Sequence, residues 1–356
     1  MSRAIKVSSF FIRIFNWEFW PFHVVYSPIY PVWLWYCLKA RSFFFFAAAN
    51  PCIKNGGFLM ESKTDIYNLL PPQHTPITLS FSTDTPLREV LEKITEKRIP
   101  YPLVVKPDIG MQGKAVIKVN SARELANTVA RYTVNYIIQP FVEYPNELGI
   151  FYVRDPRKKS GKVTGIVEKE FLTIVGNGTS TMEELLCENK RYILQVPTLR
   201  ETLREEFYKI PQKGEICQLV PYGNHARGSL FLDSTGKNNP KIEAVIDKVC
   251  QAIPGFYYGR LDIRFTNFED LENNRNWSII ELNGAGSEPT HIYDPRHSIL
   301  FAWKEIILHW RLLYQVSILN KQSGESYLSW QEGIQMFKEN NQYLNKLGKI
   351  QLGGSL

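Results

Sequence analysis

Tyr258-Gly-Arg-Leu-Asp-Ile-Arg-Phe265 and Trp277-Ser-Ile-Ile-Glu-Leu-Asn283 decide how this chain folds. Both read as apolar strands interrupted by charge. Residues two apart in a strand point to the same side, so Arg260 and Asp262 share a face, as do Glu281 and Asn283. The polar linker 267–276 is long enough to return the chain as an irregular hairpin. Paired in suitable register, the strands bring Asp262, Glu281 and Asn283 together as an all-oxygen cluster. Hard oxygen ligands suit Mg²⁺, which takes one or two carboxylates and keeps the rest of its shell for phosphate and water. The plain alternative is a solvated polar face. Glu281, however, lies between Ile280 and Leu282, where a charge needs a partner.

Upstream, Pro102-Leu-Val-Val-Lys-Pro-Asp-Ile-Gly-Met-Gln-Gly-Lys114 is an apolar strand ending in Lys106, then a loop with two glycines. Gly110 and Gly113 let backbone N–H groups approach phosphate oxygens, and Lys106 supplies a point charge. Tyr136-Ile-Ile-Gln-Pro-Phe-Val-Glu143 is a strand running into an extended hinge. There Pro140 keeps a carbonyl and Val142 an N–H for a planar base. Glu147 follows as a candidate for ribose hydroxyls. Lys169, in Val167-Glu-Lys-Glu170, could reach a phosphate or simply be an exposed strand lysine. Beyond it Asn177-Gly178 signals a turn, and Thr179 or Ser180 would cap a helix starting near Met182. In the loop Asn224-His-Ala-Arg-Gly228, Arg227 is the candidate for binding an oxyanion or carboxylate. His225 and His291 each admit a structural reading beside a functional one.

The surrounding pattern is α+β. Short β-branched runs at Leu103–Val105, Val116–Val119, Tyr136–Gln139, Ile150–Val153 and Val163–Val167 alternate with helical stretches. Lys241–Ile253 carries Ile242, Val245, Ile246, Val249 and Ile253 on one helical stripe. Ser298–Leu319 reads as a long apolar helix, and the polar tail beyond Asn320 as a short helix with a loose terminus. The expected divisions are an aromatic segment over 1–60, a catalytic region over 61–316 and a tail over 317–356.

The first sixty residues hold four of the eight tryptophans and the run Phe43–Phe46. Phe22–Leu38 is nearly uncharged, but its seventeen residues include Pro28 and Pro31. A spanning helix needs about twenty apolar residues, and Trp and Tyr favour the interface. The segment therefore reads as an aromatic layer packed on the body, or as a peripheral membrane contact. No small-residue cleavage site marks a signal peptide.

Composition is that of a globular protein, 44% hydrophobic and 22% charged. The net charge of +7 suits an anionic ligand without selecting one. No nucleic-acid-binding spacing is present. Five scattered cysteines with no CxxC read as reduced thiols of a cytoplasmic protein.

In this order the motifs resemble the ATP-grasp superfamily, especially its D-alanine–D-alanine ligase and cyanophycin-synthetase-like branches. The resemblance runs from about Glu61 to Leu313. It implies an ATP-grasp fold, two α+β lobes enclosing ATP, here with a shortened N-terminal segment. It implies that Lys63 in Glu61-Ser-Lys63 is the first ATP lysine and Lys106 the second. The loop Gly110, Met111, Gln112, Gly113 would cover the phosphates. Gln139, Pro140, Phe141 and Val142 would form the adenine hinge, Glu147 the ribose carboxylate, and Lys169 a further nucleotide lysine. Asp262, Glu281 and Asn283 would bind magnesium, with Arg260 aimed at the transferred phosphoryl group. Val175–Leu185 is similar to a "GDG…T…EL" stretch of the cyanophycin branch, with Asn177 at its acidic position. The implied activity joins a small-molecule carboxylate to an amine, with ATP and Mg²⁺, through an acyl phosphate. An ATP-grasp kinase, a ligase with a non-amine acceptor, or an ATP-binding scaffold without turnover would share the same nucleotide residues. Loop Gly284–His291 sits where related ligases take the second substrate.

Overall fold

A computed structural model describes residues 3–110, 113–220 and 222–350. Eleven strands are described: β1 (Leu79–Phe81), β2 (Leu103–Pro107), β3 (Ile117–Val119), β4 (Tyr136–Pro140), β5 (Asn146–Val153), β6 (Lys162–Glu170), β7 (Thr173–Val175), β8 (Ile216–Gln218), β9 (Leu230–Asp233), β10 (Tyr258–Phe265) and β11 (Trp277–Asn283). Strands β1 to β4 pair antiparallel in the order β1-β4-β2-β3. A five-stranded antiparallel sheet runs β11-β10-β5-β6-β9. Strands β7 and β8 form a separate ribbon.

Each sheet has its own core, because each strand buries one alternate set of side chains. In the smaller lobe Leu103, Val105, Val119 and Ile138 pack with Val90 and Ile94 of helix Leu87–Glu96 and Leu125 of helix Ala122–Val129. In the larger lobe the expected helix forms as Pro240–Gln251. Its stripe of Ile242, Ile246 and Val249 packs on Ile150, Leu261, Ile263 and Phe265. Odd-numbered residues of β10 thus enter this core. The even-numbered Arg260, Asp262 and Arg264 point to the other side.

Strand β11 obeys the same alternation only in part. Trp277 and Ile279 are buried in the core, and so is Leu282. The ladder shifts between Asp262 and Ile263, pairing Asp262 with Glu281 but Ile263 with Ile279. Ile280 is the extra residue of a β-bulge, which re-aims the side chains beyond it. Without the slip, Glu281 and Asn283 would fall on the side of Trp277 and Ile279.

The N-terminal helices Phe22–Tyr26 and Tyr30–Ala40 lie on the long helix Ile299–Gln322. Trp33 meets Trp310 edge-on with ring centroids 5.2 Å apart, Tyr36 stacks on Tyr314 at 5.0 Å, and Trp303 Nε1 donates to Val25 O at 2.8 Å. Among the described residues no helix is long and apolar enough to cross a membrane. The tail forms an eighteen-residue helix, Trp330–Leu347, where the sequence suggested a short one. Ser329 and Glu332 close a capping box at its start. Met336 packs into the aromatic layer, while Leu347 and Ile350 enter the small-lobe core. These tertiary contacts along one face secure a helix whose other face is polar. The helix Met182–Glu188 is capped by Thr181, not by Thr179 or Ser180. Thr181 and Glu184 close a reciprocal box, while Glu183, three residues after Ser180, is taken by Arg200.

Candidate active site

A cleft of about 750 Å³ lies between the two sheets. Lys63 lines it from the helix Lys63–Leu69, Lys106, Gly110, Gly113, Lys114 and Lys118 from the small lobe, and Gln139, Pro140, Phe141 and Val142 at one edge. Glu147, Lys169, Arg260, Asp262, Arg264, Glu281 and Asn283 line it from the large sheet. Residues from four separate sequence motifs therefore meet in one place. Met111 and Gln112 lie outside the described residues.

Lys106, at the end of β2, is buried, and its Nζ donates to Tyr67 Oη and to Ile280 O, both at 3.1 Å. The second acceptor is the carbonyl of the bulge residue, which Tyr67 Oη also reaches at 2.5 Å. Burial pushes the Lys106 pKa down to about 8, against the pull of Glu281. The lysine thus awaits negative charge. Lys63 opens the helix Lys63–Leu69, which Ser62 caps. Its Nζ donates to Gly110 O at 2.8 Å and stands 3.9 Å from Glu281 Oε1. The glycine loop is thereby tethered to the first lysine. A Cβ on Gly113, which has φ +65°, would come within 3.1 Å of Tyr222, so the loop approaches segment 222–224 closely.

On the large sheet Asp262 is nearly inaccessible and held by cations. Arg260 donates Nε to Oδ1 at 2.9 Å and Nη2 to Oδ2 at 3.1 Å, and Lys169 Nζ stands 3.1 Å from Oδ1. Burial alone would raise the Asp262 pKa, but Arg260 and Lys169 hold it below the usual value. Burial likewise works to lower Lys169, and Asp262 and Glu147 outweigh it. Gly149 lies opposite Asp262 on β5. A Cβ there would stand 2.9 Å from Val167 and 3.1 Å from Asp262 Oδ1, so glycine gives the network its room.

Glu147 is committed as well. It accepts from Lys169 Nζ at 2.9 Å and from Gly223 N at 3.1 Å, with Arg264 Nε at 3.4 Å. It sits within β5, three residues ahead of the strand start read from the sequence. Its direct role is to hold Lys169 and segment 222–224, and a ribose would compete with these three donors. Gln139 turns its amide to Thr78 Oγ1 at 2.7 Å, and Phe141 N–H is taken by Pro102 O at 2.8 Å. The edge of the hinge thus offers Pro140 and Val142 backbone.

Among the described residues no group of three or more His, Cys, Asp or Glu side chains is arranged to hold a metal. The candidate set is instead two carboxylates and an amide. Asp262 and Glu281 are direct cross-strand partners, and Asn283 faces Arg260. Asn283 Nδ2 is buried without a hydrogen-bond partner, in keeping with an amide oriented by its oxygen. A carboxylate offers about four acceptor positions, so the three donors on Asp262 leave one. The donor chemistry fits a hard cation such as Mg²⁺.

Sequence reasoning missed one wall of the cleft. Glu18, Trp20, Phe22, Val25 and Tyr26 line it from the N-terminal segment. Glu18 accepts from Arg191 Nη1 at 2.8 Å and pairs with His225 Nε2 at 2.9 Å. Burial would raise Glu18, but His225 and Arg191 lower it. Tyr26 hydrogen-bonds Glu288 of the loop 284–291. The available signal was that Glu18 is the sole acid in the first sixty residues. Arg227 shares a short helical turn with His225 but does not line the cleft, and His225 stands there instead. His291 is buried away from it, with Nε2 3.5 Å from Glu305 Oε2.

No family model matches the chain. Over 138 residues it is 29% identical to the glutathione biosynthesis bifunctional protein GshAB of Clostridium perfringens, covering 34% of this chain and 18% of that protein. Over 224 residues it is 28% identical to a cyanophycin synthetase of Nostoc sp., covering 57% of this chain and 24% of that one. The chain thus spans about a quarter or less of these curated relatives. Among solved structures it is similar to D-alanine–D-alanine ligase of Bacillus anthracis, with TM-score 0.41 and 12% identity over 74% of this chain and 69% of that one. The chain resembles ATP-grasp ligases, and cyanophycin synthetase is one of the two branches its motifs pointed to.

Proposed function

We propose that this chain is an ATP-grasp ligase that uses magnesium ATP to activate a carboxylate, which an amine then attacks to form an amide. One observation carries the reading. Two carboxylates paired across β10 and β11 face the lysine-bearing strand of the other sheet over a common cleft.

In this reading adenine rests at the Gln139–Val142 edge, on the backbone of Pro140 and Val142. Lys63 and Lys106 meet the phosphates, and Lys169 and Arg260 lie deeper, where negative charge grows on the transferred group. Asp262, Glu281 and Asn283 would hold Mg²⁺, which offsets the charge of the terminal phosphates. Such catalysis is mostly positioning and electrostatics. A carboxylate oxygen attacks the γ-phosphorus and the bond to the ADP oxygen breaks. The amine then attacks the acyl carbon, loses a proton, and inorganic phosphate leaves. Glu147 keeps Lys169 in place. The wall formed by Trp20, Tyr26 and Glu288 faces the substrates.

The test is magnesium-dependent ADP formation with a panel of small carboxylates and amines, run beside Glu281→Gln. ADP release that needs both partners and is lost in the variant is the expected result. Release of AMP, or no nucleotide binding by the wild type, overturns the reading.

A further inference from the structure

We propose that residues 3–41 form a docking surface for an anionic lipid bilayer, built on the layer that walls the cleft. The layer has two sides. Its inner side packs through Trp33, Tyr36 and Cys37 against the long helix Ile299–Gln322. Its outer side is apolar and uncovered. In helix Arg3–Phe15, Phe10, Phe11, Ile14 and Phe15 are 61%, 51%, 46% and 78% exposed. In helix Tyr30–Ala40, Leu34, Trp35 and Leu38 are 49%, 57% and 71% exposed. Single exposed apolar residues are ordinary, but rings aligned on a helix face mark a surface that is covered in use.

Charge selects what covers it. Residues 1–60 carry Arg3, Lys6, Arg13, Lys39, Arg41 and Lys54 against one acid, Glu18. That acid is buried between Arg191 and His225. Through Arg13, Lys39 and Arg41 the described part of the segment presents exposed cations and no exposed carboxylate. A second copy of the same face would set like charges against each other. A bilayer with acidic headgroups takes both the cations and the rings, since Trp, Tyr and Phe settle at the interface. Helices of thirteen and eleven residues are too short to span and of a length to lie on the surface.

The arrangement has a functional side. Helix Arg3–Phe15 leads directly into Trp17–Tyr26, whose Glu18, Trp20 and Tyr26 line the cleft. Docking would set the cleft beside the headgroups. This holds whether or not the nucleotide reading does.

The experiment is flotation of the full chain with vesicles of phosphatidylcholine alone or mixed with phosphatidylglycerol. Recovery with the mixed vesicles only, falling as salt is raised, is expected. The double substitutions Phe11→Glu/Phe15→Glu and Trp35→Glu/Leu38→Glu should each lower it at least about tenfold. Lys39→Glu/Arg41→Glu, which leaves the apolar faces intact, should abolish the preference for anionic lipid. Circular dichroism of every variant checks its fold. Wild-type protein left at the bottom with anionic vesicles overturns the proposal, as does equal flotation of wild type and all variants. A concentration-dependent dimer broken by the same substitutions overturns it too, and would make this face a protein interface.

Discussion

Asp262 and Glu281 stand opposite each other on paired strands, and the ladder slips by one residue immediately beyond them. The slip leaves Ile280 without a cross-strand partner. Its carbonyl then accepts from Lys106 and Tyr67, so one irregularity both aims Glu281 at the cleft and anchors the small-lobe lysine. Bulges beside functional sites commonly re-aim side chains in this way.

The two carboxylates should separate under mutation. Glu281→Gln changes a partly exposed side chain whose ion-pair partner is at 3.9 Å. It should melt like the wild type while ADP formation falls about 100-fold or more. Asp262→Asn leaves Lys169 and Arg260 without their shared countercharge, and should cost about 3–5 kcal/mol of stability. Chemical denaturation beside turnover distinguishes the two.

Removing the bulge should loosen the small-lobe lysine while leaving the direction of the two ligands unchanged. Deletion of Ile280 restores simple alternation with Glu281 and Asn283 still on the cleft side, but removes the bulge carbonyl that accepts from Lys106 and Tyr67. The buried Lys106 then lacks one of its two acceptors, so a folded protein with weakened nucleotide binding is expected. Ile280→Ala keeps the backbone carbonyl and should retain nucleotide binding. Sedimentation and binding of a fluorescent ATP analogue check both.

Lys106 gives a pH dependence. Burial holds its pKa down to about 8, below the ordinary lysine value of 10.5. Phosphate binds the protonated form, so affinity for magnesium ATP should fall as pH rises through about 8. Lys106→Arg should flatten that fall. For folding the sign is opposite. Between about 8 and 10.5 the unfolded chain holds more protons on this residue, so its destabilising contribution, full below that window, fades as pH rises. Calorimetric binding across this window, with two buffers of different ionisation heat, reads the proton uptake directly.

Arg227 lies outside the cleft lining, and Arg227→Ala should change turnover by less than about threefold, as an ordinary surface substitution does. Glu18→Gln is its counterpart. It leaves Arg191 buried beside a neutral amide, and should lower stability by about 3 kcal/mol. Melting curves and initial rates for the two variants suffice.

The sequence by itself determined the strands, the alternation that puts Arg260 with Asp262, and the chain order of two lysines, a glycine loop, a hinge and a closing acidic pair. These are local properties, since period and residue type act over a few positions. Only the tertiary structure decided which side of β11 faces the cleft, because Trp277 and Ile279 share the parity of Glu281 and Asn283 until Ile280 breaks it. It also decided that Glu147 and Asp262 are already committed to Lys169, Arg260 and Arg264. The Glu18 wall and the helix Trp330–Leu347 emerged in the same way. Apart from the Arg260–Asp262 pair, each of these depends on partners 22 or more residues away in the chain, or on the register between strands, and neither leaves a local periodic trace.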